Sequence, residues 1–191
     1  MNALTKSRWT LSEDDIDALE IGAGILGTGG GGNPYLGKLR ARQALHEGHR
    51  MEIIPLSALD DDAKVVPLGG IGAPVVGVER IKEGREGLRA LRALEGHLGF
   101  KADAIACEEI GGANSMEPLI IGALAGLPVV DADGMGRAFP EMQMTTYSIY
   151  GHRSTPSAMA DPHGNIVIFD NAVTELFHER MARACMVSQG G

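Results

Sequence analysis

Gly22-Ala-Gly-Ile-Leu-Gly-Thr-Gly-Gly-Gly-Gly-Asn-Pro-Tyr-Leu-Gly37 is the stretch on which the fold turns. Gly22, Gly24 and Gly27 spell G-x-G-x-x-G, the dinucleotide fingerprint, which requires a strand immediately before it. No strand is there. Leu11 to Ile21 reads as helix: Ser12 is a cap, and Ile16, Leu19, Ala23 and Leu26 recur on one apolar stripe. Gly32 to Lys38 matches the start of a phosphate loop, but Leu39 stands where the magnesium-binding hydroxyl belongs, and Pro34 removes an N–H donor. The run Gly29–Gly32 therefore reads either as a turn between two helices or as a ligand loop. Asn33 and Pro34 behind it have the form of an N-cap and a first helical residue. Glycine loop into helix start is an arrangement that favours an anion.

Outward from this stretch, elements alternate. The pattern predicts helices over Ser12–Leu26 and Asn33–Glu47, the second with Leu36, Leu39 and Ala44 inward, and strands over Met51–Pro55 and Lys64–Leu68. A helix over Gly84–Gly96 and an apolar strand over Ala102–Cys107 follow. Next come a helix capped by Asn114 or Ser115 and ending near Gly126, a strand over Pro128–Val130, and an extended or edge element over Met142–Tyr150. Ser157–Ala160 and Asn165–Phe169, joined by Asp161-Pro-His-Gly164, predict a hairpin, and a helix over Ala172–Val187 closes the chain. The expected class is α/β, a mainly parallel sheet flanked by helices with a late β-hairpin, as one domain over 1–191.

Composition narrows the function. At 191 residues the chain can bury a real core; a formal net charge of −8 with no Lys/Arg block argues against nucleic acid. The start of the chain has no apolar run of signal-peptide length, and the longest uncharged stretches are too short for a bilayer, so no membrane partner and a cytoplasmic location are expected. Cys107 and Cys185 are the only cysteines, which gives no disulfide framework. Cys107, at the end of a buried strand, reads as a small core residue. No paired His or Cys spacing defines a metal site, and neither a metal nor a cofactor is assigned.

Chemistry concentrates after two predicted strands. Glu108 and Glu109 follow one, Asp131 and Asp133 the other, each ahead of a glycine turn. Ligands in open α/β sheets bind beyond the carboxyl ends of strands. If those strands are neighbours, four carboxylates and the glycine loop meet at one crevice, a setting for general acid–base work. Caps and turns are the alternative use of each carboxylate. Arg137 suits a planar anion or amide ligand, or else an ion pair with Asp131, Asp133 or Glu141.

Three stretches together, Gly27–Tyr35, Glu108–Ser115 and Asp131–Glu141, resemble the amino-terminal domain of the S-methyl thiohydantoin desulfurase family, found beside hydantoinase/oxoprolinase-type proteins. The likeness runs from about Asp15 to Ala184. It implies a hydrolase-type enzyme on a five-membered cyclic amide-like ring, water replacing a methylthio group. The resemblance implies that members usually carry a second, carboxyl-terminal domain, and the expectation from 1–191 is the amino-terminal one alone. The resemblance supplies no catalytic residue list; from position and chemistry, a carboxylate of Glu108, Glu109, Asp131 or Asp133 is expected to activate water. Thr28, Gly29, Gly30, Gly31, Gly32, Asn33, Asn114 and Arg137 bind the ring. The expected partners are a small cyclic substrate and a second copy or a hydantoinase-like subunit. The alternatives are a non-catalytic subunit of such an assembly and an inactive truncated remnant.

Overall fold

A computed structural model describes residues 8–80 and 82–191; Met1–Ser7, part of the segment without a signal-peptide pattern, lie outside the described residues. The elements are β1 (Trp9–Thr10), α1 (Glu13–Gly27), α2 (Pro34–His46), β2 (Glu52–Ile54), β3 (Val65–Leu68), α3 (Pro74–Glu79), α4 (Glu86–Leu98), β4 (Ala104–Cys107), α5 (Glu117–Ala125), β5 (Val129–Asp133), α6 (Thr146–Ile149), β6 (Ser157–Ala160), β7 (Ile166–Phe169) and α7 (Glu175–Ser188). Five strands form one sheet in the order β1-β2-β5-β4-β3, parallel except for β1, while β6 and β7 make a separate antiparallel hairpin. This is the α/β class expected from the alternation of elements. No helix among the described residues is long and apolar enough to cross a membrane.

Local chemistry explains most of the boundaries. Ser12 and Asp15 form a reciprocal capping box at the start of α1, satisfying two otherwise unpaired donors. Asn33 caps α2 by accepting from Tyr35 N–H, with Pro34 as its first residue. Strand β4 is buried throughout, as a central parallel strand covered on both faces must be. Helix α5 is buried along Glu117–Gly122 and supplies the middle of the core with Ile105, Met116 and Leu91. In the hairpin turn, Asp161 Oδ1 accepts from His163 and Asn165 N–H, which fixes the register Ser157↔Phe169.

Four local expectations need correction. Met142–Tyr150 is not an extended edge; Thr145 accepts from Ser148 N–H and starts the single turn α6. Neither Asn114 nor Ser115 caps α5; both belong to a 3₁₀ turn over Gly112–Ser115, and Met116 precedes the helix without a side-chain cap. Leu39 is exposed, because the inner face of α2 is made of Gly37, Ala41 and Ala44. Gly37 is where α2 presses on Met116 and Ala113, whose nearest atoms stand 3.0 and 3.2 Å from the point a Cβ would occupy. The last helix begins at Glu175 after the Thr174 cap, so Ala172 lies outside it.

The glycine run has a packing explanation. It lies directly on Gly111–Gly112, the turn after β4. A Cβ on Gly31 would sit 2.0 Å from the Gly111 carbonyl oxygen, and one on Gly112 would sit 2.3 Å from the Gly32 oxygen. The carbonyls of Gly31 and Gly32 accept from the N–H groups of Asn114 and Ala113 at 3.0 and 3.1 Å. Both Gly31 and Gly112 also have positive φ, +72° and +60°. Gly112→Ala should therefore cost about 3 kcal/mol or more in urea denaturation, from the left-handed strain and the clash together. Gly29→Ala, with positive φ but nothing within 4 Å, should cost about 1 kcal/mol. Equal losses at the two sites would mean that the backbones are not in tight contact.

Candidate functional site

Strands β3, β4 and β5 run in parallel, so their carboxyl ends, Leu68, Cys107 and Asp133, emerge on one edge of the sheet. Cys107 pairs with Asp133, which makes the two acidic segments neighbours. Gly69 and Gly70 follow β3 on the other side of Glu108; a Cβ on Gly69 would lie 3.3 Å from Glu108 Cβ. Gly30, Gly31, Gly32, Glu108, Glu109 and Tyr147 line one end of a large groove of about 1560 Å³ that runs on past β3, α4 and the hairpin to α7; Asp131 and Asp133 are not among its lining residues. Asn33 and Asn114 also line it. A second, shallower recess of about 250 Å³ lies beside it, bounded by Gly24, Gly27, Gly29, Asn33, Pro74 and Val78.

The four carboxylates occupy quite different surroundings. Asp133 Oδ2 accepts from the N–H groups of Ile110, Met135 and Gly136 at 3.1, 3.1 and 2.6 Å, tying the turn after β5 to the turn after β4. Glu109 is buried; its Oε2 accepts from Asn114 Nδ2 at 2.6 Å and its Oε1 from Phe139 N–H at 3.1 Å. Burial raises the Glu109 carboxyl above its ordinary value, and the two hydrogen bonds work against that rise. Asp131 is exposed and has no hydrogen bond or ion pair among the described residues.

Glu108 is half-buried, and its carboxyl group likewise has no hydrogen bond or ion pair among the described residues. Burial, with the nearby charges of Asp133 and Glu109, pushes it up to about 7. A carboxyl tuned to neutral pH, unpartnered and facing a groove, can both take and return a proton.

Tyr147, which the sequence pattern did not single out, completes this corner. Its ring lies over Gly134: a Cβ there would meet Tyr147 Cε2 at 2.8 Å. Burial and the charges of Glu108 and Asp133 push its phenol up to about 12, so it stays a protonated donor at neutral pH. The signal for its placement was Thr145, the cap of α6. Cys107 behaves as a core residue: burial pushes its thiol up to about 12, and its Sγ lies 3.6 Å from the Asn114 carbonyl oxygen.

The expected binding residues divide between scaffold and groove. Asn114 donates to both Glu109 and the Gly70 carbonyl and accepts from Gly70 N–H at 2.9 Å, so its amide hydrogens are already used. The side-chain oxygen of Asn33 caps α2. Thr28 is the exposed, left-handed end of α1. Arg137 is exposed, forms no ion pair with Asp131, Asp133 or Glu141 among the described residues, and sits 5.2 Å over the Phe139 ring. No group of three His, Cys, Asp or Glu side chains among the described residues is placed to hold a metal ion.

A second polar cluster, spread too far along the chain for local pattern to show, borders the same groove. Arg40 forks onto Glu117 at 2.5 and 3.2 Å, and Lys82 Nζ lies 3.8 Å from the same carboxylate. Burial works against the Glu117 charge, yet Arg40 and Lys82 hold its carboxyl below the ordinary value.

The raised Glu108 carboxyl has a linkage consequence. The folded state holds its proton up to about pH 7, whereas an unfolded glutamate releases it near 4.5. Its contribution to stability therefore falls as pH rises between those values. Glu108→Gln should leave stability at pH 4 unchanged and raise it at pH 8 by on the order of 1 kcal/mol. Paired urea titrations at the two pH values measure this, and an equal effect at both would disprove the raised value.

The matches to known proteins agree with this architecture. A family model described as S-Me-THD-like, N-terminal domain, matches residues 14–171. An X-ray structure of a protein from Chromobacterium violaceum superposes with a TM-score of 0.76 at 25% identity, covering 94% of this chain and 51% of that one. The chain thus spans about half the length of that protein. Curated proteins give no match. By the extent of the family match, the chain belongs to the S-Me-THD-like N-terminal domain family.

Proposed function

We propose that this domain works in a hydrolase-type desulfurase that acts on an S-methylated thiohydantoin or a related cyclic amide ring. The observation that carries the reading is Glu108: a half-buried carboxyl without a partner among the described residues, pushed up to about 7, in a groove at the carboxyl edge of the sheet. Family membership supplies the substrate class.

The ring carbon that bears sulfur is bonded by a C=N bond to one ring nitrogen. Ionised Glu108 takes a proton from water as its oxygen bonds to that carbon, and the C=N electron pair moves onto nitrogen. The nitrogen takes a proton, for which the Tyr147 phenol is the nearby donor. The tetrahedral carbon then forms a C=O bond to the water-derived oxygen as the C–S bond breaks. Glu108 gives its proton to the departing methanethiolate, and the hydroxyl proton of the collapsing carbon restores Tyr147. Water has supplied one oxygen and two hydrogens; the products are the ring carbonyl with N–H and methanethiol. No electron is gained or lost overall.

In this reading Asp133 and Glu109 brace the turns that hold Glu108, and Asp131 stays outside the proton path. The N–H groups of Gly31 and Gly32, which donate to no acceptor among the described residues, face the developing negative charge. Gly30 and Asn33 shape the neighbouring wall, while Arg137, Thr28 and Gly29 do not line the groove and take no part in the step. A cytoplasmic location belongs to the same proposal, as does assembly with a second copy or a hydantoinase-like subunit.

Glu108→Gln should lower methanethiol release from an S-methylated thiohydantoin by about 10²–10⁴-fold, and wild-type kcat/KM should rise through about pH 7. Near wild-type turnover in Glu108→Gln would remove it from the mechanism. Because the chain spans half of its solved relative, the assay is run alone and with the products of neighbouring genes. Release only in the mixture would support a non-catalytic or dependent subunit, and none in either an inactive remnant.

A further inference from the structure

We propose that Ser157 is an activated nucleophile with His178 as its base, a second catalytic site at the α7 end of the groove that takes a short acyl group from a carboxylic ester. Neither residue enters the steps assigned to Glu108, so the two readings stand or fall separately.

Direction along the cluster is set by Glu175, because a carboxylate only accepts. Burial works against its charge, yet hydrogen bonds from Ser154 and the charge of Arg153 hold its carboxyl below the ordinary value. Arg153 Nε lies 3.1 Å from Oε1, and the Ser154 N–H donates to Oε2 at 2.9 Å. The Ser154 hydroxyl gives its single hydrogen to the same Oε2. Its oxygen, 2.7 Å from His178 Nδ1, is left to accept, so the imidazole carries its proton on Nδ1. Nε2 then presents a lone pair, and Ser157 Oγ donates to it at 2.8 Å. Burial lowers the His178 pKa further than the charges of Glu175 and Glu179 raise it, so the ring is neutral at neutral pH. Those two carboxylates are themselves engaged by Arg153 and Arg183. A nucleophile, a base and a group that orients the base thus stand in sequence.

Two elements bring them together. Glu175 and His178, three positions apart, share a face of α7. Ser157 opens β6, where it pairs with Phe169. The Phe169 ring meets the imidazole edge-on, with centroids 5.3 Å apart, and fixes its plane. His178 is 1% exposed, whereas Ser157 is half-buried, and both line the groove. Pro156, Ala158, Met159 and Phe169 line it too, an apolar wall that suits a short acyl chain.

The step balances without a further reagent beyond water. Ser157 Oγ bonds to the ester carbonyl carbon as its proton passes to His178 Nε2. The C=O bond re-forms as the C–O bond to the alcohol breaks, and Nε2 gives the proton to the departing alkoxide. Water, deprotonated by the same nitrogen, then releases the acid and restores Ser157. One ester and one water become one acid and one alcohol.

The same hydrogen bonds would fasten the hairpin to α7 even if Ser157 were inert, so the test is reactivity. The 191-residue chain is treated with a fluorophosphonate and, separately, with p-nitrophenyl acetate. It should take one phosphonyl group per molecule with loss of fluoride, located at Ser157 by peptide mass mapping, and should hydrolyse the ester. Ser157→Ala should abolish both, and His178→Gln should slow labelling by at least about 100-fold. Nitrogen-15 NMR of the unmodified chain at neutral pH should show His178 protonated on Nδ1 alone. Ser154→Ala should mix the two tautomers and slow labelling, and Ser154→Thr should restore both. No label, a label elsewhere, a smaller loss in a folded His178→Gln, or a proton on Nε2 would overturn the site. Should His178→Gln fail to fold, labelling and tautomer in the wild-type chain decide.

Discussion

The structure depends on one contact between two pieces of backbone. The loop Gly29–Gly32 and the turn Gly111–Gly112 approach so closely that neither can carry a Cβ at the crossing, and the two are joined by N–H···O=C bonds rather than by side chains. Ordinary helix packing holds axes 8–10 Å apart because side chains intervene. Removing them lets the α1–α2 pair settle directly against the end of β4. The same crossing sets where Glu108 and Glu109 stand relative to the loop. It is a structural use of glycine, and the groove beside it is its by-product.

Around that crossing, similar residues do different work. Asp133 and Glu109 each accept from groups on separate turns, so they act as fasteners between segments that share no regular hydrogen-bond ladder. Buried polar groups are tolerated when so satisfied. Glu108 alone faces the groove from a half-buried place without a partner among the described residues. Burial first, and the negative charges of Asp133 and Glu109 after it, oppose its ionisation. Tyr147, held against Gly134, is the nearest phenol to this charge cluster.

Much of the fold could be read from local pattern. Ser12 and Asn33 marked helix starts, the apolar run before Cys107 marked the central strand, and Asp161–Gly164 marked the hairpin turn. The edge strand Trp9–Thr10 escaped because it consists of backbone pairing with Ile53 and Glu52, which two residues do not announce. Tyr147 escaped for a related reason: a single capped turn has no periodicity. At the site, the sequence left the meeting of four carboxylates conditional on two strands being neighbours; β4 and β5 do pair, yet only Glu108 and Glu109 line the groove with the glycine loop. Which carboxylate stays unpartnered was not legible, because Asp133 and Glu109 each take, besides nearby donors, one donor from 23 and 30 positions away. Arg40 and Glu117, 77 positions apart, carried no sequence signal at all.

That separation has a consequence for the order in which the molecule assembles. Hairpins, helices and the β3–α4–β4–α5–β5 units draw on neighbours along the chain and can form early. The Arg40–Glu117 fork and the glycine crossing close much longer loops, whose entropy must be spent before any contact rewards it. The groove therefore exists only once contacts distant in sequence have closed, as the Ile53↔Val129 pairing of β2 with β5 also must. Its integrity is a sensitive gauge of partial unfolding.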